Sequence, residues 1–127
     1  MTVLVVDDEP RVRELLRRWL EPWGYDVTEA GTASEALDVM LTEPASIVLL
    51  DIRMPGYDGF WLMERVRAKW PRTVIIMATG NDDLAVVMKS QRAGAVDYVT
   101  KPFGRELLRQ ALHRANAALD APNSPAA

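Results

Sequence analysis

Five short apolar segments alternate along the chain with five segments of helical periodicity, and this alternation constrains the fold more than any other feature. The apolar segments are residues 2–6, 25–30, 46–51, 73–80 and 95–102. Two of them, SIVLLD and TVIIMATG, are apolar through their middle, as is typical of strands buried on both faces. Strands that alternate with helices predict an α/β fold in which one parallel sheet is covered by helices on both sides.

The starts of the helices are predicted from capping residues and prolines. The first helix covers residues 10–23, with Pro10 in its first turn and Asp8 as its cap. The TASE tetrapeptide at residues 32–35 is a capping box that opens the second helix. Asp58 is placed to cap the third helix.

The fourth and fifth helices are predicted at about 82–92 and from Gly104 to Leu119. The fourth has the weakest apolar pattern, so we expect it to be the helix that moves most readily. Apolar residues spaced by three and four positions predict the side chains that face the core. On the first, second and fifth helices these are Val12, Leu15, Leu16, Trp19, Leu20, Trp23, Ala36, Leu37, Met40, Leu41, Leu107, Leu108, Ala111, Leu112, Ala115 and Leu119.

Length and composition predict a single domain at residues 1–119, followed at 120–127 by a flexible tail or the start of a linker. The chain has no cysteine, which excludes disulfides, zinc–thiolate sites and thiol nucleophiles within it. No apolar run has the length of a membrane helix, and the first residues lack the pattern of a signal peptide. We therefore expect a cytoplasmic protein without membrane contact.

Charge is unevenly distributed along the chain. Residues 1–63 have a net charge of −7 and residues 64–127 a net charge of +4, which leaves −3 overall. The arginines of residues 105–114 are interrupted by Glu, Leu and Ala, a pattern typical of a solvated helix face. We therefore expect no direct binding of nucleic acid by this domain.

Polar residues stand at the carboxyl end of four of the five predicted strands. Asp7 and Asp8 follow the first strand, Asp51 ends the third, Thr79 ends the fourth and Lys101 ends the fifth. Alone, each has an ordinary explanation as a helix cap, a turn residue or a solvated side chain. Ligands of open parallel sheets bind outside the carboxyl ends of the strands, so together these residues predict one site.

Three carboxylates at one site repel each other unless cations neutralise them. Lys101 offsets one charge, and a divalent cation offsets two more. All-oxygen ligands select a hard ion, so we expect Mg²⁺, with Mn²⁺ as the alternative. Beside such an ion and an ammonium, Asp51 is suited to be a nucleophile in phosphoryl transfer.

The motifs LVVDDEP, VLLDIRMPGYDG, MATG and DYVTKPF resemble the signatures of the receiver domain of bacterial two-component response regulators. The resemblance extends from about residue 2 to residue 119. It implies a doubly wound, flavodoxin-like (βα)5 fold with strand order 2-1-3-4-5, as in the chemotaxis members of the family.

The resemblance also implies roles for the site residues. Asp51 would accept a phosphoryl group from a phosphohistidine on a sensor histidine kinase or a phosphotransfer protein. Asp8, Asp51 and the backbone carbonyl of Arg53 would bind Mg²⁺ directly, and Asp7 would act through water. Lys101 would pair with the phosphoryl oxygens, with a cis peptide bond before the proline that follows it.

Switching is implied in the same way. Thr79 would move to hydrogen-bond the phosphoryl group, and Tyr98 would turn inward into the vacated space. The surface of helix 4, strand 5 and helix 5 would then change for output or for a phosphorylation-dependent homodimer. Arg53 and Asn81 flank the site and should tune the lifetime of the phosphoryl group, and Gln91 stands where family members usually have an apolar residue.

Two other functions are open to a chain with this pattern. A haloacid-dehalogenase-type phosphatase also uses an aspartate nucleophile, but it needs an acid two residues later, where this chain has Arg53. A nucleotide- or flavin-binding module needs glycines after the first strand, where this chain has three acids. We therefore expect a phosphorylation switch and not an enzyme, either free-standing or cut from a longer, for example transcriptional, regulator.

Overall fold

A computed structural model describes residues 1–52, 59–79, 84–95 and 97–120. Strands and helices alternate throughout, as predicted. The elements are β1 (Thr2–Val6), α1 (Pro10–Leu20), a 3₁₀ turn (Glu21–Trp23), β2 (Asp26–Ala30), α2 (Ala33–Thr42), β3 (Ile47–Asp51), α3 (Gly59–Lys69), β4 (Val74–Thr79), α4 (Leu84–Arg92), β5 (Asp97–Thr100) and α5 (Arg105–Asp120).

The five strands form one parallel sheet in the order β2-β1-β3-β4-β5, which confirms the order implied by the family resemblance. β1 and β3 are neighbours at its centre, and Val6 pairs with Leu50 near their carboxyl ends. Asp7 and Asp51 each follow one of these paired residues, so the topology brings them to the same edge at the same level.

The core consists of two clusters, one on each face of the sheet. Leu4, Val48 and Leu50 pack with residues of α2 and α3, whereas Val5 and Leu49 pack with residues of α1 and α5. Every residue of β3 is buried, as its continuous apolar run predicted. Alternate residues of the central strands therefore supply both cores, which is the physical basis of the doubly wound arrangement.

Three leucines predicted to face the core are instead exposed. Leu15 is 45% exposed, and Leu41 and Leu107 are each 52% exposed. In each case the apolar residue next to it in sequence is the one that packs inward: Leu16, Met40 and Leu108 are buried. Adjacent residues on a helix point about 100° apart, and a helix lying on a sheet buries only a narrow sector of its surface.

Several predicted boundaries were also wrong. α1 ends at Leu20 and continues as a 3₁₀ turn, and β5 covers Asp97–Thr100 and is shorter than predicted. The N-cap position of α1 is Glu9, without a side-chain cap, so Asp8 does not cap this helix. The capping box is confirmed at its first residue, because the Thr32 hydroxyl accepts a hydrogen bond from the Glu35 N–H at 3.0 Å.

The predicted cap of the third helix, Asp58, and residues 121–127 of the predicted tail lie outside the described residues. Among the helices of the described ranges, none has the length and apolar character needed to cross a membrane.

One buried hydroxyl in the sheet leads to a stability prediction. The Thr28 Oγ1 atom on β2 is buried and has no hydrogen-bond partner among the residues described. We expect Thr28→Val to raise the free energy of unfolding by about 1 kcal/mol, because it removes a polar atom that burial strips of water. Urea denaturation followed by circular dichroism measures the change.

Thr73→Val is the matched control, because the Thr73 hydroxyl donates a hydrogen bond of 2.8 Å to the carbonyl of Ala45. It should lower the free energy of unfolding by about 1 kcal/mol. A loss of stability in Thr28→Val as large as that in Thr73→Val would show that the Thr28 hydroxyl is satisfied in solution.

Candidate functional site

Three aspartates meet at the carboxyl edge of the sheet. Asp7 continues β1, and its N–H donates to the carbonyl of Ala30 on β2 at 3.1 Å. Asp51 is the last residue of β3 and pairs with Ala78 on β4. Carboxylate oxygens of Asp7, Asp8 and Asp51 all lie within 4.8 Å of one another. The structure therefore brings together the three carboxylates that the sequence predicted at one site.

Burial differs among the three acids. Asp7 is 2% exposed and Asp51 is 7% exposed, and they are the two buried charged residues in the described part of the chain. Asp8 is exposed. The cluster therefore has a closed side formed by the ends of β1 and β3 and an open side at Asp8, from which an ion or a reactant can approach.

Lys101 supplies a positive charge to the two buried acids. It follows the last residue of β5, and its Nζ donates to Asp7 Oδ2 at 2.5 Å and to Asp51 Oδ2 at 3.3 Å. Burial alone would lower the pKa of Lys101, but the hydrogen bond that its ammonium donates to Asp7 and the negative charges of Asp51 and Asp7 outweigh burial, so the pKa is raised. The ammonium therefore stays charged at neutral pH.

The donor set of the cluster fits a hard divalent cation. Three carboxylates and one ammonium leave two negative charges, which a dication neutralises, and every candidate ligand atom is an oxygen. The two oxygens of Asp7 already accept hydrogen bonds, Oδ1 from the Glu9 N–H at 2.9 Å and Oδ2 from Lys101. Asp8, by contrast, presents its carboxylate to solvent.

The other predicted site residues are described to different extents. Thr79 is the last residue of β4 and pairs with Thr100, and the structure describes its backbone only. Tyr98 is 40% exposed on β5.

The peptide bond between Lys101 and Pro102 is cis, as the resemblance implied. Arg53 and Asn81 lie outside the described residues, and Gln91 on α4 is exposed.

One contributor to the site was missed at the sequence level. Arg13 Nη1 donates a hydrogen bond of 2.7 Å to the main-chain carbonyl of Asp7. The available signal was its spacing from Arg17: residues four apart lie on one side of a helix, and both arginines reach Glu29 on the edge strand β2. That signal points to an ion pair with β2 but not to the backbone of Asp7.

Gly59, the first residue of α3, packs directly against the strand that carries Asp51. A Cβ at this position would lie 2.8 Å from Ile52 Cα and 3.1 Å from the Asp51 carbonyl oxygen. The Gly59 N–H also donates to the Ile52 carbonyl at 3.1 Å. Because the close atoms belong to the backbone, a side chain here must displace the end of β3.

We therefore expect Gly59→Ala to lower the free energy of unfolding by about 1–3 kcal/mol, although alanine is the better helix former. Gly104→Ala is the control, because nothing lies within 4 Å of the corresponding Cβ. Chemical denaturation of both variants tests the difference. Equal stabilities would mean that α3 can shift away from β3 at little cost.

The sheet order and the position of this cluster define a doubly wound α/β domain with an acidic cluster at its carboxyl edge. Comparison with known proteins identifies the family, because residues 3–113 match the response regulator receiver domain. The chain belongs to this family, and its role is that of a phosphoacceptor domain in two-component signalling. Membership implies interaction with histidine kinases or phosphotransfer proteins.

The relatives that the chain matches are longer than the chain itself and differ in their named functions. The chain is 42% identical over 115 residues to the transcriptional regulatory protein AruR of Pseudomonas aeruginosa, covering 86% of this chain and 47% of that protein. It is 37% identical over 109 residues to a cyclic di-GMP phosphodiesterase of Thermotoga maritima, covering 86% of this chain and 29% of that protein. The chain thus spans about a quarter to a half of these curated relatives.

Solved structures of single receiver domains match over nearly their whole length. A CheY-like receiver domain protein from Methanospirillum hungatei has a TM-score of 0.85 at 32% identity, covering 91% of this chain and 94% of that one. The chemotaxis protein CheY4 of Vibrio cholerae also has a TM-score of 0.85, at 29% identity, covering 90% of this chain and 97% of that one. The doubly wound fold predicted from the sequence is therefore confirmed.

Proposed function

We propose that Asp51 is the phosphoacceptor and takes its phosphoryl group from a phosphohistidine on a sensor kinase or a phosphotransfer protein. The supporting observation is the environment of its carboxylate. It lies at the end of a fully buried strand, 3.3 Å from the ammonium of Lys101 and within 4.8 Å of two further acids. A carboxylate so held has a fixed position at the open edge of the sheet, and a charge partner is already in place.

Asp8 and Asp51, with the backbone carbonyl of Arg53, are proposed to hold Mg²⁺, or Mn²⁺ in its place. Asp7 is proposed to act through water, since both of its oxygens already accept hydrogen bonds from the protein. When bound, the ion would neutralise negative charge on the acids and on the entering phosphoryl oxygens. Of the two carboxylates, Asp8 would then reach the ion from the open side of the cluster and Asp51 from the closed side.

In the proposed reaction, an Asp51 oxygen forms a bond to phosphorus as the bond from phosphorus to the histidine nitrogen breaks. The imidazole leaves with the electron pair of that bond. Lys101 would donate hydrogen bonds to a phosphoryl oxygen, and its raised pKa keeps it a cation throughout. Thr79 is proposed to donate its hydroxyl to another oxygen, followed by inward rotation of Tyr98.

The product is proposed to act as a switch. A phosphoryl group adds about −1.5 to −2 charges at one end of the sheet, which would reorganise the surface of α4, β5 and α5. That surface is proposed to contact the output partner or a second copy of the domain, without direct contact to nucleic acid. We propose that the chain acts in the cytoplasm and undergoes self-phosphorylation and dephosphorylation without turning over a separate substrate.

Acetyl phosphate tests the acceptor directly. We expect intact-mass spectrometry to detect one added phosphoryl group on the wild type with Mg²⁺, and loss of this product when EDTA removes the metal. Asp51→Asn should abolish the product, whereas Asp38→Asn, which changes an exposed acid on α2, should leave it unchanged. Equal labelling of wild type and Asp51→Asn would exclude Asp51 as the acceptor.

A further inference from the structure

Arg13 joins the acidic cluster to the edge strand of the sheet. Its Nη1 donates to the Asp7 carbonyl at 2.7 Å, and its Nε donates to Glu29 Oε1 at 3.2 Å. The side chain is 19% exposed. A guanidinium is planar with several donors in fixed directions, so it can hold a main-chain oxygen and a carboxylate together.

The carbonyl that Arg13 binds belongs to the peptide unit between Asp7 and Asp8. On its amino-terminal side, Asp7 is fixed by the hydrogen bond from its N–H to Ala30. Beyond this point β1 has ended, and Asp8 is exposed. The orientation of this peptide unit therefore sets where the Asp8 carboxylate stands relative to Asp51.

Glu29 is itself held in place by a second arginine. Its Oε2 accepts a hydrogen bond of 2.7 Å from Arg17 Nε, so each carboxylate oxygen has its own arginine. The hydrogen bond to Glu29 raises the pKa of Arg17. Gly31, just after β2, leaves the space that the Arg13 guanidinium occupies, since a Cβ there would lie 3.2 Å from Nη1.

We propose that Arg13 is a positioning residue for the metal centre, which holds the Asp7–Asp8 peptide so that Asp8 is presented to the cation. This inference rests on the proposed function, because it assigns a role toward the ion that Asp8 and Asp51 bind. Its hydrogen bonds to the Asp7 carbonyl and to Glu29 would leave Arg13 out of direct contact with the ion. It acts through the backbone, as residues behind metal ligands commonly do.

Arg17 provides a control already present in the structure. Both arginines lie on α1 and pair with the same carboxylate, but of the two only Arg13 donates to Asp7. Arg13→Met removes the ion pair to Glu29 and the hydrogen bond to the Asp7 carbonyl, and Arg17→Met removes the ion pairs to Glu29 and Glu21. Each variant therefore loses two contacts and retains an unbranched apolar stem. Their effects on the free energy of unfolding should be similar, whereas their effects on metal binding should differ.

The experiment measures the Mg²⁺ dissociation constant of each protein by isothermal titration calorimetry, at a temperature where all variants are folded by circular dichroism. We expect Arg13→Met to weaken Mg²⁺ binding about tenfold, the lower end of what loss of an outer-shell partner costs. Arg17→Met should bind Mg²⁺ as the wild type does. No change in Arg13→Met, or equal weakening in both variants, would overturn the inference.

Arg13→Lys keeps the test decisive if Arg13→Met does not fold. A lysine retains the charge but has no planar fork to hold the Asp7 carbonyl and Glu29 together. Arg13→Lys should bind Mg²⁺ more weakly than the wild type does, and wild-type affinity would overturn the inference. If the wild type itself bound no Mg²⁺, the proposed function would fail, and this inference with it.

Discussion

Replacement of Lys101 by methionine is expected to lower the free energy of unfolding by about 2–4 kcal/mol at pH 7 without divalent cations. The variant leaves Asp7 and Asp51 buried without the ammonium that contacts both. The expected loss is below that of a fully buried ion pair, because the Lys101 side chain is 23% exposed. Urea denaturation of wild type and variant in EDTA measures this change in the free energy of unfolding.

The pH dependence of this contribution follows from the direction of the Lys101 pKa shift. Because the pKa is raised in the folded state, the stabilisation is complete below the ordinary lysine pKa of about 10.4 and is lost as pH rises through the folded pKa. The difference in the free energy of unfolding between wild type and Lys101→Met at pH 7 therefore measures the full stabilisation by the Lys101 ammonium.

Magnesium should restore much of the stability that Lys101→Met loses, since a dication supplies the missing positive charge to the same acids. Lys69→Met is the matched control: it removes an exposed lysine at the end of α3, and its effect should be within about 0.5 kcal/mol. Equal stabilities of Lys101→Met and Lys69→Met in EDTA would mean that water already screens the buried acids.

Leu108→Ala is expected to lower the free energy of unfolding by about 2–5 kcal/mol, whereas Leu107→Ala should change it by no more than about 0.5 kcal/mol. Leu108 is fully buried in the core between α5 and the sheet, and its truncation leaves a cavity. Leu107 is 52% exposed, and alanine is at least as good a helix former.

Leu107→Ala is the matched control for Leu108→Ala, because the chemical change is identical and both residues lie in the first turns of α5. Guanidinium denaturation, with the two m-values compared, measures both effects. Similar losses for the two variants would indicate that Leu107 is covered in solution, and analytical ultracentrifugation would then reveal whether a second copy covers it.

Much of the fold could be predicted because its signals are local. A continuous apolar run such as residues 47–50 identifies a strand buried on both faces, and TASE identifies the start of α2. The convergence of Asp7, Asp8 and Asp51 was also predictable, because parallel strands end at a common edge. The strand order came from the family motifs and not from periodicity.

The misses involve choices between adjacent residues. Periodicity placed Leu107 and Leu108 on the same apolar face, but the sector of α5 that meets the sheet accepts only Leu108. Local rules made Asp8 the cap of α1, yet the carboxylate that accepts the Glu9 N–H belongs to Asp7. Each alternative was locally acceptable, and contacts with distant parts of the chain selected between them.

The sequence alone determined the alternation of strands and helices, the burial of β3 and the collection of acids at one edge, because these follow from side-chain periodicity and strand direction. The tertiary structure alone decided which two of the three acids are enclosed, how Lys101 divides its hydrogen bonds between Asp7 and Asp51, and that Arg13 holds the Asp7 carbonyl. Those contacts join residues as many as 94 positions apart. Their geometry depends on how α1, β3 and the end of β5 pack together, and no local pattern of residues encodes that packing.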